Sequence, residues 1–289
     1  MRYVNLGCGA RYHSEWINID IAPRGPGVIA HDLSKGIPLD GNSCDMVYHA
    51  HVIEHLRREH VPGFIRECAR VLKSGGILRI ATPDLERIAR HYLEFLESAA
   101  EGDGEAANKY DWIMLEMYDQ TVREKSGGQM QEILARDPMP AESFVYERIG
   151  IEGREIVATM RQNPPSNQRA DNGGGASESM KRLFSRLGSP MRTLRNAARR
   201  FGSDESLRTA TEIGRFRLSG EVHQWMYDRY SLAKLLTEAG LQSPKQRTAT
   251  TSALAEWARF NLDATADGVP IKPDSIYMEA VKGGRDAIQ

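Results

Sequence analysis

The sequence predicts an α/β protein: a doubly wound, largely parallel sheet carrying a long helical insertion. Three observations lead there. Residues 4–20, VNLGCGARYHSEWINID, read as a strand, a Gly-x-Gly turn and an acid closing a second strand. Up to Asp84, strand-like and turn-like pieces alternate with helical spacing, the order expected of parallel sheets. From residue 97 to 160 the strand signal stops and helical spacing continues.

The elements follow in order. Arg2–Leu6 is a strand ending at Gly7-Cys8-Gly9, and Trp16–Asp20 is a second, with apolar Ile17 and Ile19. Val28–His31 is a third, stopped by Asp32, and Cys44–Tyr48 a fourth, after the turn Asp40-Gly41-Asn42-Ser43. Val61, Phe64, Ile65, Cys68 and Val71-Leu72 recur at helical spacing, so Val61–Leu72 is a helix, ended by Lys73-Ser74-Gly75-Gly76. Ile77–Ala81 is a fifth strand, and Leu85, Ile88, Tyr92 and Phe95 mark the next amphipathic helix. Residues 162–178, polar and rich in Gly, Asn and Pro, read as a flexible linker. Asp228–Leu241 is a helix ending at Gly240, a strand follows near Arg247–Ala253, and Ser275–Val281 is the last strand.

Composition narrows the class. At 40 % hydrophobic and 27 % charged residues, the 289-residue chain can bury a core. Its net charge of −1 gives no global attraction to nucleic acid. Cys8, Cys44 and Cys68 are too scattered for a disulfide framework or a zinc ribbon and suit a reducing compartment. With no membrane-length apolar run and no signal-peptide pattern at the N-terminus, a cytoplasmic protein is the expectation.

The opening turn points to a nucleotide-like ligand. Glycines at 7 and 9 let backbone approach a ligand closely. Tyr12 stands where a dinucleotide fingerprint has its third glycine, and Asp20 comes well short of the usual ~20-residue spacing to the acid. Both features fit poorly with a pyrophosphate resting on a helix N-terminus. They suit a ligand without phosphate, with the Asp20 carboxylate at its ribose hydroxyls. Asp32, closing the third strand, is a second carboxylate on the ligand-binding side of the sheet.

A segment from residue 3 to 84 resembles class I S-adenosylmethionine-dependent methyltransferases of the small-molecule, type 11-like group. The resemblance rests on VNLGCG at 4–9, INID at 17–20, AHDL at 30–33, IPLDGNSCDMVYHAHVIEHL at 37–56 and RVLKSGGILRIATPD at 70–84. MYDRYSLAKLLTEAGL at 226–241 and SIYMEAVK at 275–282 extend it. It implies a Rossmann-like sheet of seven strands, the last antiparallel, with S-adenosylmethionine bound across the first four strand ends. By position, Leu6, Gly7, Cys8 and Gly9 would line methionine and ribose. Asp20 would hold the ribose hydroxyls, and Ile21 would lie against the adenine, flanked by Asp32 and Leu33. His49 and Ala50 would sit beside the reactive methyl. The first helix is expected to shrink to about one turn.

Methyl transfer to an alcohol or phenol needs a proton removed, work to which histidine is suited near neutral pH. His51, just after the fourth strand, is the first candidate base, His223 the second and Asp84 the third. Trp225 and Tyr227, beside His223, are candidates for a substrate wall or for plain packing. A different chemistry stays open at the same place. His51-Val52-Ile53-Glu54-His55 matches H-x-x-E-H, with His51 and His55 as zinc ligands and Glu54 as base. The strand before it and Pro62 after it argue against that hydrolase reading, and no metal is expected. A third reading is an S-adenosylmethionine-binding protein without catalysis.

Nucleic-acid amino-methyltransferases carry a [D/N]-P-P-aromatic motif after the fourth strand, where this chain has Tyr48-His49-Ala50-His51, so nucleic acid is not the expected partner. A small molecule or glycan is, with methylation at oxygen. Residues 180–201 form a basic amphipathic segment, expected as a lid helix or as a peripheral contact with an anionic membrane surface. The expected division is a cofactor-binding half at 1–96, a helical insertion at 97–225 and a C-terminal return to the sheet at 226–289.

Overall fold

The computed structural model describes residues 1–162 and 205–284. The expected linker at 162–178, but for Gln162, and the basic segment at 180–201 lie outside the described residues. A seven-stranded sheet runs in the order β3-β2-β1-β4-β5-β7-β6. Its strands are β1 (Tyr3–Leu6), β2 (Ile17–Asp20), β3 (Val28–Ala30), β4 (Cys44–Ala50), β5 (Leu72–Pro83), β6 (Leu241–Arg247) and β7 (Ser275–Lys282). The first five are parallel, and β7 runs antiparallel between β5 and β6. This is the expected Rossmann-like α/β fold, including its single antiparallel strand.

One face of the sheet is covered in the usual way. Two helices, α1 (Val61–Val71) and α7 (Arg229–Glu238), pack Ile65, Cys68, Leu232 and Leu236 onto Leu6, Ile19, Val47, Leu78 and Ile80. The face over β1 and β4 differs. A parallel crossover ordinarily needs a dozen or more residues and a helix. Here β1 reaches β2 through turns alone, with Arg11 N–H on the Cys8 carbonyl and Trp16 N–H on that of His13. Even the expected single helical turn is missing. An aromatic cluster covers the gap instead: Trp16, Tyr3 and Tyr48 meet Trp257 and Phe260, which return from the far end of the chain. From the short connection Trp16 lies edge-on to Tyr48, Trp257 and Phe260, and His13 lies edge-on to Phe260.

The helical insertion has its own core. Helices α2 (Leu85–Ala100), α3 (Gly104–Val122), α4 (Gly128–Leu134) and α5 (Glu142–Gln162) pack Ile88, Trp112, Ile113, Leu134, Val145 and Val157 together, while α6 (Glu205–Arg217) leads back toward the sheet. At its centre Arg148 and Glu116 form a buried ion pair, with the Trp112 indole N–H 2.6 Å from Glu116 Oε1. α2 runs on past residue 96 and gives Ile88 to this helical core. α5 kinks at Gly150 (φ 62°, ψ −154°), where a side chain would collide with Pro273 and the Ile271 carbonyl. The missing Cβ lets the insertion dock on the 271–273 loop.

Three boundaries move. β6 occupies Leu241–Arg247, directly after its helix, and the expected strand at Arg247–Ala253 is largely loop. Lys245, Gln246 and Arg247 pair with β7 even though their pattern is polar, because this edge strand has solvent on its outer side. α1 ends at Val71, with Leu72 already extended, so Gly75 and Gly76 do not cap it. They lie in a bulge that pairs Cys44 with Leu72 and Met46 with Ile77.

Candidate active site

The carboxyl ends of β1 and β4 open onto a cavity of about 460 Å³, within the ~300–1,000 Å³ usual for small-ligand pockets. Asn5, Gly7 to Arg11, Ala50, His51 and Ala81 line it from the parallel strands. Asp263, Ile271, Lys272, Ser275 and Tyr277 line it from the C-terminal segment, and Glu152 and Glu155 from α5.

The Gly turn is held by the strand beside it. Gly7 and Cys8 donate to the Ile19 carbonyl at 2.8 and 3.3 Å. Gly9 N–H donates to Asp20 Oδ2 at 2.8 Å, and Ala22 N–H to Oδ1 at 2.8 Å. Asn5, buried at the turn's base, donates to the Arg11 carbonyl at 3.1 Å. Each Asp20 oxygen thus has one backbone donor and retains acceptor capacity toward a ligand. Burial, with the nearby Asp20 charge, pushes the Cys8 thiol up to about 11, leaving a neutral wall. The residues fit S-adenosylmethionine: an acceptor carboxylate beside a glycine turn at the sheet's ligand end, and no helix N-terminus after β1 to attract phosphate.

The expected cofactor residues divide into three groups. Gly7, Cys8, Gly9 and Ala50 line the cavity. Asp20, Ile21, Asp32 and Leu33 stand at the ends of β2 and β3, outside its lining. Ile21 is 73 % exposed, an apolar side chain open to solvent. Asp32 accepts from Ser34 N–H at 3.0 Å and caps a short 3-10 turn, Leu33–Lys35. Leu6 and His49 point away: Leu6 is in the sheet core, and His49 is wholly buried against Phe64. Only their backbone can face a ligand, because alternate residues of a strand face opposite sides.

Of the candidate bases, His51 alone lines the cavity. It sits just past β4 in the left-handed region (φ 54°), and its N–H donates to the Ala81 carbonyl. Its Nε2 is 2.9 Å from Ser275 Oγ, and its Nδ1 is 3.0 Å from Glu54 Oε1. Glu54 is fully buried, with Oε2 accepting from Thr82 at 3.1 Å. Burial favours its neutral acid, but the imidazoles of His51, His55 and His223 prevail and hold it below the usual carboxylate range. Asp84 N-caps α2 through a bond from Arg87 N–H at 3.3 Å and lies outside the lining. His223 is buried edge-on to the His55 ring, its pKa lowered to about 3 by burial. Trp225 and Tyr227 do not line the cavity either: Arg58 stacks on Trp225, and Tyr227 is in the core. For H-x-x-E-H, Ile53–His55 is a single 3-10 turn rather than an α-helix, so the helical spacing that pattern relies on is absent.

Sequence reasoning missed Ser275, Asp263, Lys272, Glu152 and Glu155. Only Ser275 stands in a quoted stretch, opening SIYMEAVK, and the strand order and the docking of α5 bring them all to the cavity. Ser275 opens β7 two positions from Tyr277, which also lines the site, a period-2 signal readable once β7 is placed.

Comparison with known proteins agrees with this architecture. A family model described as "Methyltransferase domain" matches residues 4–80. A "Probable S-adenosylmethionine-dependent methyltransferase" of Mycobacterium tuberculosis, found in strains H37Rv and CDC 1551, is 46 % identical over 48 residues. That stretch spans 17 % of this chain and 17 % of the relative. A solved S-adenosylmethionine-dependent methyltransferase from Archaeoglobus fulgidus aligns over 97 % of this chain and 86 % of its own, at 11 % identity and a TM-score of 0.36. The sheet order and Gly-turn geometry stand without that distant structural likeness. Residues 4–80, with the family match, the glycine turn and Asp20 on adjoining strand ends, are a class I methyltransferase domain of the S-adenosylmethionine-dependent, type 11-like group.

Proposed function

We propose that this protein transfers a methyl group from S-adenosylmethionine to an oxygen of a hydroxylated small molecule or glycan. The observation that carries the reading is His51, set in the cavity wall with Glu54 at one ring nitrogen and Ser275 at the other. A carboxylate at Nδ1 favours the proton there and leaves Nε2 as the acceptor. The cofactor supplies a methyl already activated on sulfonium. The protein's part is alignment and proton removal. His51 Nε2 would take the proton of the acceptor hydroxyl as that oxygen receives the methyl. Arg11, Arg24, Lys272, Glu152 and Glu155 give the cavity a polar lining suited to a hydroxyl-rich acceptor.

Calorimetry with S-adenosylhomocysteine tests the first half. Micromolar binding is expected, weakened roughly tenfold or more in Asp20→Ala, the scale of a lost charge-assisted hydrogen bond. No binding by the unmutated chain refutes the reading. Turnover on a panel of polyols, phenols and glycans tests the second half. His51→Asn, whose side chain tolerates φ > 0, should fold and lose roughly 10²–10⁴-fold in kcat. Unchanged turnover removes His51 as base.

A further inference from the structure

Glu54, His55 and His223 form a cluster of which methyl transfer through His51 uses Glu54 alone. One ligand atom of each lies within 4.8 Å of the other two. Glu54 and His223 are buried and His55 is half-buried, with its edge in the cavity wall. Two polar atoms here lack hydrogen bonds. His55 Nδ1 has no partner, and Glu54 Oε1 has none of acceptable alignment although His51 Nδ1 stands 3.0 Å away. A buried carboxylate is costly without a compensating cation, and buried imidazole nitrogens are costly without partners. Around Glu54 stand Thr82, which satisfies Oε2, the imidazoles of His51, His55 and His223, and, more remotely, His49 and Tyr227. Lys272, also in the cavity wall, pairs with Glu152 at 3.3 Å instead.

We infer that Glu54, His55 and His223 bind a divalent transition-metal ion at the cavity's edge, zinc or a first-row neighbour. Two imidazoles and one carboxylate, with a further position open toward a cavity, are the donor set of catalytic rather than closed structural zinc sites. Imidazole nitrogen disfavours magnesium and calcium, which take oxygen. Ligand atoms on one ion stand at most about 4.2 Å apart, twice the ~2.1 Å bond length. The cluster therefore has to contract by more than half an ångström. The carbonyl of Glu54 helps hold the two segments together, accepting from Gln224 N–H at 2.6 Å beside His223. The ligand set differs from that of the H-x-x-E-H pattern, because His223 takes the place of His51. Resting on the reading above, the open position would bind the acceptor's oxygen and favour its deprotonated form.

The test uses the full-length chain, stripped with chelator and dialysed against zinc, cobalt, manganese or magnesium. One equivalent of zinc or cobalt is expected at micromolar concentration, with the intense visible absorption of cobalt held in a low-symmetry protein site. His223→Ala and Glu54→Gln should each weaken binding roughly 100-fold or more. Should either variant fail to fold by circular dichroism, stoichiometry and the cobalt spectrum of the unmutated chain decide. Uptake of magnesium alone, no stoichiometric uptake, or equal uptake by folded variants overturns the site. S-adenosylhomocysteine binding to the metal-free chain is measured beside it. Retained binding without metal uptake overturns the metal and spares methyl transfer, whereas metal uptake without that binding does the reverse.

Discussion

Gly7 shows how little a residue needs to do to make a site possible. Its φ is +65°, and a Cβ there would stand 2.5 Å from Val52 Cγ2. Gly7→Ala should cost about 1–3 kcal/mol of stability through the strained φ and the collision, and weaken S-adenosylhomocysteine binding as the turn shifts. Thermal melting and calorimetry check both; a variant indistinguishable from the parent in both contradicts the role given to the turn. This residue was legible in the sequence, because the glycine pair closes one strand while Asp20 and Asp32 close the next two. Glu54 was legible only as part of a five-residue pattern, and its place between His51 and Thr82 was not. Nothing in VIEHL says which way its carboxylate faces, since that depends on β4 pairing with β5 and on Thr82 lying near that strand's end.

At the scale of elements, β5 carries a charge into the interior. Arg79 is wholly buried, with Nε on Asp263 at 2.8 Å, Nη1 on Glu279 at 2.9 Å and Nη2 on the Thr248 carbonyl at 2.8 Å. Its guanidinium lies over Trp257, 4.3 Å from the ring centroid. Glu279 also takes Arg247 and Ser252, and Asp263 takes the Tyr48 hydroxyl. This network ties β5, β7 and the C-terminal loop into the wall of the cavity. Arg79→Met strips buried Asp263 of its cation, leaves Glu279 with Arg247 alone, and should cost about 3–5 kcal/mol. Adding Asp263→Asn and Glu279→Gln should recover much of that loss; urea unfolding of both variants measures it, and a full-size loss in the triple variant would show that packing dominates. The strands and helices were readable from apolar spacing, which local sequence carries. The limits of α1, β5 and β6 were not, because a bulge at Gly75-Gly76 and an edge strand of polar residues are settled by the partner strand.

For the molecule as a whole, acid is the expected weakness. His49 is buried with neither ring nitrogen hydrogen-bonded, and burial lowers its pKa to about 4, while His223 lies at about 3. Unfolded histidines titrate near 6.5. Between these values the unfolded chain binds more protons than the native one, so stability is fully present above about pH 6.5 and falls as pH drops toward 4. His49 alone accounts for about 3 kcal/mol over that window. Urea unfolding at pH 7.5 and 5, with chelator present, should show the drop, and His49→Leu should flatten it; equal slopes in parent and variant would refute the assignment.

The sequence by itself determined the sheet class, the glycine turn and the acid at the end of the second strand, because alternation, turn chemistry and strand-end carboxylates act within a few residues of one another. The tertiary structure decided what surrounds the reacting end. The short β1–β2 connection leaves a sheet face bare, the aromatic return at 257–262 covers it, and Gly150 lets α5 close on the 271–273 loop. Those contacts join residues far apart in the chain. Their energy comes from burying area that no local pattern specifies, so His51, Glu54, His55 and His223 could each be named from sequence, while the neighbour Ser275 and the meeting of Glu54, His55 and His223 had to wait for the fold.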